Sequence, residues 1–198
     1  RYYDKMWQMY SCSRNEIGGT GLFNAKEGLW WRDARFVKPY KEPNGKDCFW
    51  SRGNGWVYAA LTRVLNEIPV NEPHRSDYIA DFLAMSKALK ACQRSDGFWN
   101  VSLHDESNFG GKETSGTTLF IYGMAWGIRN GLLDKKEYVS VNWGDDVSRI
   151  DYGRLYEQRY PVLKLAAKRF LENEPEDFET FCELQAFWLE DYALFMTL

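Results

Sequence analysis

The segment CFWSRGNGW, residues 48–56, places one arginine between two tryptophans and beside two glycines. Arg52 can present two parallel N–H donors, which match the two oxygens of a planar carboxylate. Trp50 and Trp56 offer flat faces that can cover a sugar ring or hold the guanidinium flat. Gly53 lets a ligand approach the main chain closely. The segment therefore predicts a pocket that accepts an anion and stacks on a ring.

The residues after Arg52 support the same interpretation. Asn54 belongs to the predicted sugar site, and Gly55, like Gly53, leaves the backbone accessible. A helix is expected to begin near Gly55, with its positive N-terminal end directed at the site. The alternative is that Arg52 pairs with a structural carboxylate and that both tryptophans belong to the core. Composition does not choose between the two.

The composition limits the class of protein. With 198 residues, of which 44% are hydrophobic, the chain can bury a core, so disorder is not expected. A net charge of −3 and the lack of a basic stripe argue against a nucleic-acid partner. The apolar runs are too short to span a bilayer. Four scattered cysteines without a CxxC pair indicate buried thiols, and with only two histidines no metal site is expected.

Helical spacing of apolar residues predicts a chain that is nearly all helix. The residues from 22 to 36 are expected to form a loop or a small hairpin. In the helix predicted over residues 76–97, Ser76 is the expected N-cap and Gly97 the C-terminal stop. Helices that alternate with loops rich in Trp, Gly and charge are typical of a helical toroid whose loops build the site at one end. The predicted helices span about 2–16, 55–68, 76–97, 117–131, 151–172 and 176–197.

Four segments resemble the unsaturated glucuronyl and rhamnogalacturonyl hydrolases, which are families 88 and 105 of the glycoside hydrolases. These segments run in the family's order over about residues 1–138, and they read GGTGLFNAKEGLWWRDARF, SRGNGWVYAALTRVL, CQRSDGFWNVSLHD and GGKETSGTTLFIYGMAWGIRNGLLD. The resemblance implies an all-α, (α/α)6-toroid-like fold, partial in this chain. It also implies an acidic oligosaccharide partner, with a 4,5-unsaturated uronic acid at the end of a pectin-like or glycosaminoglycan-like fragment. It implies no cofactor.

The resemblance further implies the reaction. An aspartic acid protonates the C4=C5 bond, water adds at C5, and the hemiketal collapses to release the aglycone. The family's main acid lies in an Asp-Asp-Leu-Phe-Met-like motif, which we expect upstream of residue 1. Asp33 is the remaining candidate for a catalytic carboxylate, and Arg32 stands where many members have histidine. The alternative for Asp33 is a salt bridge with Arg32 or Arg35.

Carried over to this chain, Trp50, Arg52 and Trp56 line the sugar subsite. The further candidates for substrate contact are Trp99, His104, Glu113, Thr114 and Ser115. Core packing is an equal alternative for Trp99. For Thr114 and Ser115 the favoured alternative is that one of them caps the following helix.

From about residue 142 onwards the chain instead resembles an early helical stretch of the 4-α-glucanotransferases of family 77, with FWLEDYALFMTL as the specific part. We therefore expect two domains, 1–138 and 139–198, with a C-terminal helix pair of different origin. The incomplete toroid could associate with a second copy. The alternatives to the hydrolase are a non-catalytic carbohydrate-binding or scaffold module and a 4-α-glucanotransferase fragment. Family members occur in the cytoplasm and the periplasm, and the sequence leaves the compartment open.

Overall fold

A computed structural model describes residues 2–37 and 40–139. The chain divides into two compact units, Arg1–Asn142 and Trp143–Leu198. The helices predicted at 151–172 and 176–197 lie outside the described residues. The first unit contains five α-helices, which are α1 Tyr2–Asn15, α2 Ser51–Glu67, α3 Arg75–Ala91, α4 Thr114–Arg129 and α5 Lys135–Val139, and one 3-10 turn, Ile17–Gly19. None of the described helices is both long and apolar enough to cross a membrane.

Two short hairpins connect the helices. Strands β1 Phe23–Asn24 and β2 Leu29–Trp30 are antiparallel. This confirms that residues 22–36 contain a small hairpin. Strands β3 Trp99–Asn100 and β4 Lys112–Glu113 form a second hairpin that the helical pattern did not predict. Strands of two residues carry too little alternation to be recognised in a sequence.

Helices α2 and α4 pack closely because glycines remove side chains at their interface. A Cβ atom on Gly55 would lie 2.9 Å from Leu119 Cδ1. A Cβ on Gly123 would clash with Cε1 and Cδ1 of the Tyr58 ring. Gly55 therefore serves helix packing, which corrects the expectation that it opens the backbone to a ligand. Helix α4 buries Leu119, Phe120, Met124 and Trp126, in keeping with its apolar sequence.

Helix α3 begins and ends earlier than its sequence suggested. It begins at Arg75, with His74 at the N-cap position and no side-chain cap, so Ser76 lies inside the first turn. It ends at Ala91, where the amide of Cys92 donates to the last helical carbonyls. Gly97 instead adopts a left-handed φ of 83° in the turn that leads into β3.

A buried ionic cluster holds α1 against α3. The Asp81 carboxylate accepts hydrogen bonds from Arg14 Nε at 2.6 Å and Nη2 at 2.8 Å, and from the Tyr10 hydroxyl at 2.7 Å. The Arg14 guanidinium also lies over the ring of Phe23, 4.6 Å from its centroid. Burial, together with the Asp81 charge, raises the pKa of the Tyr10 hydroxyl, so it stays a donor. Asp81 therefore joins α1, α3 and the β1–β2 hairpin.

Replacing Asp81 with alanine should destabilise the fold by about 3–5 kcal/mol, because Arg14 and Tyr10 would be left without their acceptor. Urea unfolding followed by circular dichroism measures the change. The matched control is Asp77→Ala on the same helix, whose side chain is 55% exposed, and which should change stability by less than about 0.5 kcal/mol. Equal effects of the two substitutions would contradict a structural role for the cluster.

Gly123→Ala should destabilise the protein by about 1–3 kcal/mol, since the new methyl group would clash with Tyr58. Its control is Gly53→Ala in α2, where the nearest atom to a new Cβ is Trp50 Cβ at 3.9 Å. Alanine there should be neutral or stabilising by up to about 1 kcal/mol through helix propensity. Thermal unfolding of both variants tests the assignment. A Gly123→Ala protein as stable as the parent would show that the helices can separate without cost.

Candidate active site

The Trp50–Trp56 segment straddles the start of α2. The helix begins at Ser51 and not near Gly55 as expected, so Arg52 and Gly53 lie in its first turn. Trp50 is the N-cap residue, in an extended conformation. Backbone contacts with residues 101 and 102 fix the segment, because Ser51 N–H donates to Val101 O at 2.9 Å and Trp50 forms an antiparallel bridge with Ser102.

Arg52 is exposed, and within residues 2–37 and 40–139 it makes no hydrogen bond or ion pair. The alternative, in which Arg52 pairs with a structural carboxylate, therefore does not hold in the described part of the chain. Trp56 lies one helical turn from Arg52 and is 47% exposed, whereas Trp50 is half-buried. The start of α2 thus presents the exposed guanidinium of Arg52 and two indoles, Trp50 at the N-cap and Trp56 in the second turn. A Cβ on Gly53 would meet Trp50 Cβ at 3.9 Å, an ordinary contact distance.

Asn54 has a different role from the predicted one. Its side chain is completely buried and bonds to backbone groups. The amide oxygen accepts from Trp30 N–H at 2.8 Å, and the amide nitrogen donates to Trp30 O and Trp50 O, each at 3.0 Å. With these three bonds made, Asn54 positions the segment from inside and does not face a ligand.

Asp33 forms the loop salt bridge that was its alternative interpretation. The Arg35 side chain donates to both Asp33 oxygens, from Nε at 3.1 Å and from Nη2 at 3.0 Å. These bonds, together with the Arg35 backbone N–H, lower the pKa of Asp33 to about 2. A carboxylate held ionised in this way is poorly suited to general acid catalysis, which works best with a pKa near the operating pH. Arg32 is exposed, with Nε 3.6 Å from Asp33 and its guanidinium over Phe36.

Trp99 and Glu113 are occupied by structural tasks. Trp99 is fully buried, and its indole N–H donates to Leu89 O at 2.7 Å, so it belongs to the core and not to a sugar-facing surface. The Glu113 carboxylate caps α4 by accepting from Gly116 N–H, and it also accepts from the Ser115 hydroxyl at 2.5 Å. A cap was expected here from Thr114 or Ser115. The longer side chain of Glu113 supplies it instead.

His104 lies in a charged depression of about 420 Å³. The imidazole and the ring of Phe49 pack edge to face, with their centroids 5.0 Å apart. Burial lowers the pKa of His104, so the imidazole is neutral near pH 7. His104 is the only predicted site residue that lines this depression, and a neighbouring one of about 470 Å³ reaches Trp31. The residues that line the first depression with His104 are Lys26, Glu27, Lys41, Lys46 and Asp47.

Sequence reasoning did not single out the charged residues of this depression or Glu42. The density of charge in KPYKEPNGKD, residues 38–47, was the available signal for the lysines. Glu42 gave no signal, because its burial depends on Ser102, 60 positions away, whose hydroxyl donates to it.

Burial, with a hydrogen bond to Glu42, raises the pKa of the Cys48 thiol to about 12. Cys48 is thus a buried thiol as expected, whereas Cys12 is exposed.

Comparison with known proteins connects this arrangement to a class of enzymes, the glycoside hydrolases. A solved family 88 hydrolase from Bacteroides vulgatus is 37% identical with a TM-score of 0.68, over 80% of this chain and 42% of its own. An unsaturated 3S-rhamnoglycuronyl hydrolase of Formosa agariphila is 38% identical over 143 residues, which are 70% of this chain and 37% of that protein. Residues 1–142 match Glycosyl Hydrolase Family 88, and the chain belongs to that family.

The chain spans about two fifths of the length of these relatives. The expected fold, a partial and mostly helical (α/α)6 toroid, is confirmed by these similarities. The second resemblance is also confirmed, since residues 119–198 match the 4-alpha-glucanotransferases. One of these, from Clostridium butyricum, is 40% identical over 67 residues, which are 34% of this chain and 14% of that protein. The two matches overlap over residues 119–142, and the domain boundary near residue 139 stays a prediction.

The Asp33 salt bridge can be tested by titration. Arg35→Gln should raise the pKa of Asp33 from about 2 towards the ordinary carboxyl value of about 4, because the largest cause of the depression is removed. Arg32→Gln should change it less, since Arg32 acts on Asp33 by charge alone. Carbon-13 NMR of the Asp33 carboxyl measures both shifts.

The direction of the linked stability follows from the same depression. The folded state favours ionised Asp33, so the pairing stabilises the fold above about pH 4, and this contribution is lost as the pH falls towards 2. A parent protein in which Asp33 titrates near pH 4 would contradict the geometry.

Proposed function

We propose that this chain is part of a hydrolase of unsaturated uronyl oligosaccharides, of the rhamnoglycuronyl kind named for its relatives. In this proposal Arg52 binds the carboxylate of the terminal uronic acid. The supporting observation is that the Arg52 guanidinium is exposed and has no acidic partner among the described residues, in a segment that also carries Trp50 and Trp56. A cation that the protein itself leaves uncompensated is available to an anionic ligand.

The chemistry of the substrate fits this geometry. In a 4,5-unsaturated uronic acid the carboxylate is conjugated with the C4=C5 bond, so that end of the sugar is flat. A planar guanidinium can bond both carboxylate oxygens in one plane, and an indole can cover the flat face. Gly53 has no side chain to cover the helix start, and the first-turn N–H groups add a positive field. Arg52 would therefore orient the double bond for attack.

The reaction requires a proton at C4 and a water oxygen at C5. The resulting hemiketal opens and releases the second sugar. Asp33 is poorly suited to supply that proton, because Arg35 holds its pKa near 2. In this proposal the described residues supply binding and orientation, and a carboxylic acid outside them supplies the proton.

A second candidate is a carbohydrate-binding module without turnover. The ionisation of Asp33 favours it, since the carboxylate predicted for catalysis is committed to a salt bridge. Both candidates require Arg52 for binding, and they differ only in whether the double bond is consumed. The third alternative, a 4-α-glucanotransferase fragment, depends on residues 142–198, which lie outside the described residues.

Arg52→Ala should weaken the binding of an unsaturated uronyl–rhamnose disaccharide by about 10- to 100-fold, because a charge-assisted hydrogen-bond pair is lost. Arg52→Lys should bind with an affinity between those of the parent and Arg52→Ala, since lysine keeps the charge but lacks the two parallel N–H donors of arginine. Calorimetric titration at low and high salt measures affinity. The ultraviolet absorbance of the conjugated bond reports turnover.

Lys87→Ala provides the control, because it removes one exposed positive charge from α3 and should leave affinity unchanged. Consumption of the double bond by the unaltered chain would favour the hydrolase, and salt-sensitive binding without consumption would favour the module. Unchanged affinity in Arg52→Ala would refute the role of the arginine in both.

A further inference from the structure

A second aromatic residue, Phe109, stands beside Trp50. Its ring contacts the ring of Trp50 with a centroid distance of 5.1 Å and an interplanar angle of 76°. Phe109 is 61% exposed. The two rings are nearly perpendicular, so they form two walls of an open corner next to the start of α2.

The backbone of Phe109 is also unusual. Its φ of 57° is the only positive value among the described non-glycine residues. Glycine or asparagine adopts this conformation more easily than phenylalanine, for which it is strained. A bulky residue in a strained conformation, with most of its ring in solvent, contributes little to the fold. Such residues concentrate at functional sites.

The loop that carries Phe109 has a fixed base and a free tip. At the base, Asp105 accepts hydrogen bonds from Ser107 N–H at 3.0 Å and from Asn44 N–H at 3.2 Å. At the tip, Gly110 and Gly111 follow Phe109, and Gly111 has a φ of 115° that excludes most side chains. The base therefore fixes the position of the loop, while the tip directs the aromatic ring outwards.

We propose that Phe109 and Trp50 form an aromatic corner that binds the second sugar of the substrate, the one released by the reaction. This inference rests on the proposed function, because Arg52, two residues after Trp50, assigns the uronic acid to the adjoining position. A sugar ring seated in the corner would place one apolar face on one ring and an edge against the other. Phe109 thereby selects for a disaccharide over a uronic acid alone.

Two ligands and two variants test the corner in the whole chain. The ligands are an unsaturated uronyl–rhamnose disaccharide and the methyl glycoside of the same unsaturated uronic acid, which lacks the second sugar. Phe109→Asn should weaken disaccharide binding by about fivefold or more, because the apolar contact is lost. It should leave methyl glycoside binding within about twofold. Phe109→Tyr keeps the ring and should bind both ligands as the parent does.

Thermal unfolding separates this role from a structural one. Phe109→Asn should leave the melting temperature unchanged or higher, since asparagine accepts a positive φ. If the variant unfolds at a clearly lower temperature and loses affinity for both ligands alike, the ring is structural and the inference is wrong.

Comparison with Arg52→Ala separates this inference from the proposed function. If Phe109→Asn binds the disaccharide normally while Arg52→Ala does not, the corner is refuted and the proposed function stands. If neither ligand binds to the unaltered chain, both are refuted.

Discussion

The candidate site depends on one buried amide. Asn54 lies inside the first turn of α2 and satisfies both backbone groups of Trp30 as well as the carbonyl of Trp50. A buried backbone group left without a partner costs about 1–3 kcal/mol, so these bonds fix the β1–β2 hairpin to the helix start. Because Asn54 points inwards, Arg52 and Trp56 are directed outwards by the helical period. The buried hydrogen bonds of Asn54 and the exposed side chain of Arg52 both follow from the geometry of this helical turn.

The electrostatics of the described residues suit recognition more than proton transfer. Arg52 is a cation that has no ionic partner in residues 2–37 and 40–139, Asp33 is held ionised, and burial lowers the pKa of His104, which keeps it neutral. Bonds from Ser107 and from backbone amides also lower the pKa of Asp105, so it too is an anion near neutrality. General acid catalysis needs a carboxyl group whose pKa is raised by burial or by a neighbouring negative charge. None of these candidate groups meets that condition.

The sequence predicted those features that follow from local pattern. Helical spacing located α1 to α4. The exposed arginine between tryptophans was also recognisable, because an unusual combination of residues occurs within nine positions. Two site residues, Asn54 and Trp99, have roles that differ because their partners Trp30 and Leu89 lie 24 and 10 positions away. Glu113 differs for a local reason, since it caps α4 through Gly116. A polar or aromatic side chain gives no sign in the sequence of whether it faces a ligand or a distant backbone group.

Short elements and long-range burial were equally hard to foresee. The β3–β4 hairpin has two residues per strand, and Glu42 is buried through a contact with Ser102, 60 positions away. Phe109 stood in a glycine-rich loop that the sequence marked only as a loop. Its positive φ and its contact with Trp50 appear only in three dimensions.

The glycine interface between α2 and α4 also restricts one aromatic side chain. Tyr58 is fully buried against Gly123, and its ring stacks on Phe82 with a centroid distance of 4.8 Å. Its hydroxyl donates to Ser86 Oγ at 2.5 Å, and Ser86 Oγ donates in turn to Phe82 O. Rotation of this ring by 180° about its axis needs the two helices to separate briefly, because the glycine leaves room for the ring edge and for nothing wider. The flip rate of Tyr58, measured by NMR, therefore reports how often α2 and α4 move apart.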